Sequence, residues 1–167
     1  CLSEVKAEER VAFLVGIKNY KEAPLSNTIR DTEIISKALN SVGFKVTRYT
    51  DLDGKELLEN FKKFLNAVSH NSTILFYYSG HGIGIQGKNY LAPLRNKVTG
   101  KTTIVSLERI VAQLEKNTRG VRLVFIDSCR NDPRNMEIAS TQISQGFSGM
   151  GGSVGTLISF ATAIGRT

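Results

Sequence analysis

Apolar residues fall in short blocks separated by polar, glycine-bearing stretches, and the blocks alternate between strand-like and helix-like spacing. Residues 11–17 (VAFLVGI) predict a buried strand, closed by Lys18-Asn19-Tyr20 and a loop through Pro24. Asn27 or Thr28 can cap a helix over 29–42, with Ile34, Ile35, Ala38 and Leu39 at helical spacing and Gly43 as its stop. Residues 44–49 alternate like a short strand near a sheet edge. Asp53 caps a second helix over 55–68, whose Leu57, Leu58, Phe61, Phe64 and Leu65 form one apolar face. A third strand at 72–78 (STILFYY) runs into Ser79-Gly80-His81-Gly82, read as a glycine loop that Gly84 and Gly87 prolong, with an extended arm at 89–94. Ser106 caps a third helix to Lys116 that buries Leu107, Ile110, Val111 and Leu114, and Gly120 ends it. Residues 121–126 form the next strand, with Asp127-Ser128-Cys129 directly behind it. From 134 to 155 the chain is rich in Ser, Gln and Gly and reads as a long mobile loop before a fifth strand at 156–161 (TLISFA).

This alternation predicts an α/β fold with right-handed crossovers, a predominantly parallel sheet and helices on both faces. A chain of 167 residues, 41% hydrophobic and 22% charged, supports one ordinary globular domain with a sizeable core. No apolar run approaches the length that spans a bilayer. Residues 1–10 are a polar lead-in, readable as a linker, the remnant of a processed leader or a lipidated amino-terminal cysteine, so the compartment stays open. The net charge of +7 raises the question of nucleic acid, but Lys and Arg are scattered without a basic stripe, which argues against it.

Cys1 and Cys129 are the only cysteines, which excludes a disulfide framework and a zinc cluster. Cys129 follows a strand's carboxyl end, the edge of an open α/β sheet where ligands bind. By itself it could be a small hydrophobe finishing the strand. His81 follows the preceding long strand, and if the two strands are neighbours, residues 48 positions apart meet in one crevice. A neighbouring imidazole can take the thiol proton and later protonate a departing amine. The backbone N–H groups of Gly82 and Cys129 can serve a developing oxyanion. Asp127 and Cys129, two residues apart, can face one cleft. This chemistry requires no metal or cofactor. His70 reads as a solvated surface residue, and Tyr77 and Tyr78 as core and sheet packing.

SGHG after one apolar strand and DSCRN after the next resemble the two signature blocks of the caspase-like cysteine peptidases, in which Q-A-C-[RQG]-G follows the His by about 50 residues. Asp127, Ser128 and Asn131 depart from those letters toward the metacaspase, paracaspase and bacterial orthocaspase branches, and the resemblance extends over essentially the whole chain. It implies a three-layer caspase-like sandwich over 11–167, with a sixth strand and a small carboxyl-terminal portion missing from this chain and supplied by the same or another one. It also implies an acidic pocket for Arg or Lys built from Asp31 and Asp127, with Ser79 as a further polar lining. A guanidinium can donate to both carboxylates at once. Asp31 could instead serve the helix dipole, and Asp127 could bond loop amides. Arg30 would suit an Asp-selective pocket, but successive helical residues point about 100° apart, so Arg30 and Asp31 should not share one.

The expected activity is therefore a cysteine endopeptidase cutting after basic residues through an acyl-enzyme, with a peptide or protein as partner. The alternatives are a peptidase cutting after Asp and a silent scaffold that binds through the same groove. Self-processing is one reading of the Arg166-Thr167 end, although cleavage after Arg166 would leave Thr167 on the other fragment. Some metacaspases are calcium-activated, but Asp51 and Asp53 are too loose a signal to extend that here.

Overall fold

The computed structural model describes residues 8–129, 143–144, 150 and 153–161, with the backbone alone at 129, 143 and 144. Most of the lead-in, most of the 134–155 loop, Arg130 and the end beyond 161 lie outside the described residues. In chain order the elements are β1 (Arg10–Gly16), α1 (Thr28–Ser41), β2 (Lys45–Thr50), α2 (Gly54–Asn66), β3 (Thr73–Ile85), β4 (Lys88–Ala92), β5 (Val105–Ser106), α3 (Leu107–Asn117), β6 (Arg122–Cys129), β7 (Ile143–Ser144) and β8 (Thr156–Ala161).

The main sheet runs β2-β1-β3-β6-β8 with every pair parallel. Its central strands are apolar along their length because both faces are covered. On one face Phe13, Val15, Ile74, Phe76, Tyr78, Val124 and Ile126 pack against α2 through Leu57, Phe61 and Leu65, and against α3 through Leu107, Ile110 and Leu114. On the other, Ala12, Leu14, Leu75 and Tyr77 meet Ile35 and Leu39 of α1. Beside α1 this second face holds a largely apolar trough of about 420 Å³, with Tyr77 and Asp127 among its lining residues. Helices on both faces of a largely parallel sheet are what the alternation predicted. No helix among the described residues is long and apolar enough to cross a membrane.

Three predicted loops carry strand instead, one of them the short β7 inside 134–155. β3 continues through Ser79-Gly80-His81-Gly82 to Ile85, and β6 continues through Asp127 to Cys129. Glycine alone would have favoured a turn, but this part of β3 has partners on both sides. β4 lies antiparallel from His81↔Ala92 to Ile85↔Lys88, while β6 runs alongside as far as His81↔Cys129 and β7 takes over at Gly84 and Ile85. Paired backbone groups on both edges outweigh the entropy that glycine loses in a strand. The turn comes only at Gln86-Gly87, both at positive φ (51° and 74°), as a tight two-residue hairpin requires.

Candidate active site

The parallel register of β3 and β6 builds the site. Ser79 pairs with Asp127 and His81 with Cys129. Neighbouring strands run about 4.8 Å apart, so these main chains are adjacent despite their distance in sequence. On the other flank of β3, Gly16 of β1 pairs with Ser79, and beyond it the β1–α1 connection, residues 18–27, passes over the same sheet edge.

His81 is 1% exposed and is held from that connection. Its Nε2 lies 2.8 Å from the carbonyl oxygen of Ala23. A carbonyl can only accept, so Nε2 carries the proton and Nδ1 becomes the nitrogen able to act as base. The Tyr20 ring packs on the imidazole with centroids 4.1 Å apart. The Tyr20 hydroxyl accepts the His81 N–H at 2.9 Å and donates to the Ala92 carbonyl at 2.8 Å, while the Tyr78 hydroxyl donates to the His81 carbonyl at 3.0 Å. Burial pulls the imidazole below its ordinary value, with the Ala23 bond acting the other way, so the neutral form needed in a base is favoured.

The acidic residues converge one step down the strands. Asp127 is half-buried and accepts from the Tyr77 hydroxyl at 3.2 Å. Burial raises its carboxyl above the usual range; the Tyr77 bond opposes this, and the charge of Asp31 adds to it. Tyr77 is likewise pushed up, chiefly by burial and by the Asp127 charge, with Asp31 contributing. Both groups therefore feel Asp31, which sits half-buried in the first turn of α1. Ser79, 2% exposed, reaches the Tyr77 hydroxyl. Arg30 is exposed where Asp31 is half-buried. Gly82 follows His81 in β3 opposite Leu91.

The remaining acidic candidates are engaged elsewhere. Asp51 accepts the N–H groups of Lys18 and Asn19 and the Asn19 side-chain amide, anchoring the β1–α1 connection. Asp53 caps α2 through Lys55 and Glu56 and accepts from Asn96. His70 is exposed. Sequence reasoning missed the tyrosine hydroxyls and the Ala23 carbonyl. Tyr77 and Tyr78 do pack against the sheet as expected, but their polar tips reach Asp127 and His81, a contact no spacing rule reveals.

Comparison with known proteins agrees with this architecture. Residues 9–165 match the family described as the caspase domain. The human mucosa-associated lymphoid tissue lymphoma translocation protein 1 is 26% identical over 126 residues, which cover 74% of this chain but 15% of that protein. Among solved structures, pro-sf-caspase-1 matches with a TM-score of 0.64 at 18% identity, over 96% of this chain and 64% of that one. The Drosophila initiator caspase Dronc matches with a TM-score of 0.57 at 12% identity, over 72% of this chain and 50% of that one. The chain thus spans only part of each relative, and with nearly its whole length matched it belongs to the caspase-domain family.

Proposed function

We propose that this domain is a cysteine endopeptidase that hydrolyses peptide bonds after Arg, and with lower efficiency after Lys. Cys129 is the nucleophile and His81 the base and acid. The observation that carries the reading is the register pairing of His81 with Cys129, with Asp127 one pleat below and the charge of Asp31 felt there. Nδ1 takes the thiol proton and the sulfur adds to the substrate carbonyl. The N–H groups of Gly82 and Cys129 receive the oxyanion, each such donor being worth roughly a hundredfold or more. The imidazolium then protonates the departing amine, and water, deprotonated by the same nitrogen, releases the acid from the thioester. Asp31 and Asp127 supply two carboxylates for one guanidinium, and Ser79 lines the same end of the sheet. Lys, a point charge without the planar fork, satisfies them less well.

A fluorogenic panel ending in Arg, Lys or Asp tests this on the full chain, including any further portion that the intact protein carries. Turnover in the order Arg, Lys, with none after Asp, and complete loss in Cys129→Ala, is expected. Hydrolysis after Asp would transfer the assignment to an acid-selective peptidase. Silence with all three substrates would leave a binding scaffold.

A further inference from the structure

We propose that Tyr20 is a positioning residue for this site: by gripping both the ring and the main chain of His81 it holds the imidazole where the Ala23 carbonyl can accept the Nε2 proton in a hydrogen bond. The inference rests on the peptidase reading only for its kinetic consequence. Each phenol in the cluster has one proton. That of Tyr20 goes to the Ala92 carbonyl and that of Tyr78 to the His81 carbonyl, since carbonyls only accept. The 3.3 Å approach of the two hydroxyl oxygens is therefore not the bond that orients them. What remains to Tyr20 is its lone pairs, and the His81 N–H donates to one of them. The same side chain closes the face of the imidazole, and three residues later the same connection presents the Ala23 carbonyl to Nε2. One short segment thus fixes the ring's plane, the position of its backbone and the nitrogen that holds the proton.

Gly80 fits this arrangement. A Cβ there would stand 2.6 Å from the Tyr78 hydroxyl and 2.8 Å from that of Tyr20, so the strand carries no side chain where the phenols pass. Packing alone would not need the hydroxyl of Tyr20; a Phe would fill the same space. The hydroxyl is explained by its place between the His81 N–H and the Ala92 carbonyl, where it bridges β3 and β4 at their first shared pair.

The test compares wild type, Tyr20→Phe and Tyr20→Leu. Nitrogen NMR reads the His81 tautomer directly, and with His70 the only other histidine, a His70→Gln sample assigns the signals. The second readout is the pH dependence of Cys129 alkylation by iodoacetamide. Wild type should show the Nε2–H tautomer. Tyr20→Phe keeps the tilted ring contact and loses the hydroxyl, so mixed tautomers and about a tenfold slower alkylation at neutral pH are expected, the worth of one neutral hydrogen bond. Tyr20→Leu should lose more, with kcat reduced and KM little changed. An Nδ1–H tautomer in wild type overturns the proposal whether or not the variants fold. So do variants that melt lower yet keep the wild-type tautomer and alkylation profile. If wild type cleaves no peptide, the functional reading falls, while the tautomer and alkylation results still decide the role of Tyr20.

Discussion

Asp127 is a half-buried carboxylate, and no cation among the described residues is bonded to it. Its bonded partner is the Tyr77 hydroxyl, and its neighbouring charge is another acid, Asp31. Burial and like charge make the ionised form costly, so folding gains nothing from ionisation there. A carboxylate kept against its own stability is what a site for a cationic ligand requires. Asp127→Asn separates the two roles, because the amide oxygen can still accept from Tyr77 while the charge is gone. Cleavage after Arg should fall about a hundredfold or more, the cost of removing one partner of a desolvated charge pair. The melting temperature should stay level or rise. A variant that loses stability and cleaves Arg substrates normally would return Asp127 to a structural role.

At the level of elements, the strands of the main sheet and the three helices were legible in the sequence because their apolar spacing is dictated locally, and the caps at Asp53 and Ser106 occupy their expected places, whereas β5 and β7, two residues each, carry no such spacing. The extension of β3 through His81 was not legible. It depends on pairing with β4 and β6, which are remote in sequence, and glycine pointed the other way locally. The same holds for Tyr77, whose hydroxyl finds Asp127 only after the strands align. Another long-range device fixes β8, which pairs with β6 alone among the described residues. Arg122, buried at the start of β6, donates to Thr156 Oγ1 at 2.8 Å and to the carbonyls of Thr118, Gly120 and Val154. Arg122→Leu strands these acceptors and should cost about 3 kcal/mol. Because Val154 and Thr156 lie at the entry to β8, hydrogen exchange should rise first at 156–161 while β1 and the first half of β3 stay protected. Protection of β8 equal to wild type would show that pairing with β6 alone holds it.

Across the whole molecule, groups at opposite ends of the sheet contribute to the response to acid. At the amino end, Glu9 accepts from the hydroxyls of Ser72 and Ser69, and these bonds, Ser72 first, hold its carboxyl at about 2 against an ordinary 4.5. Its carbonyl also receives the Thr73 N–H, tying the start of β1 to that of β3. A depressed carboxylate stabilises the fold above its unfolded value, and the contribution is lost as pH falls from about 4.5 toward 2. At the carboxyl end, His81 is depressed below 6.5 by burial. The unfolded chain then takes up a proton that the folded chain refuses, so stability falls as pH drops below 6.5 until the folded imidazole titrates. Asp127, raised, works in the opposite direction above 3.8 and partly offsets the first loss. Urea midpoints followed from pH 8 to pH 2.5 should therefore decline in two stages. Glu9→Gln should remove the lower stage and leave the upper, and His81→Gln should do the reverse. If Glu9→Gln leaves the lower stage intact, the acid response belongs to other carboxylates, and the hydrogen bonds at Glu9 contribute nothing to it.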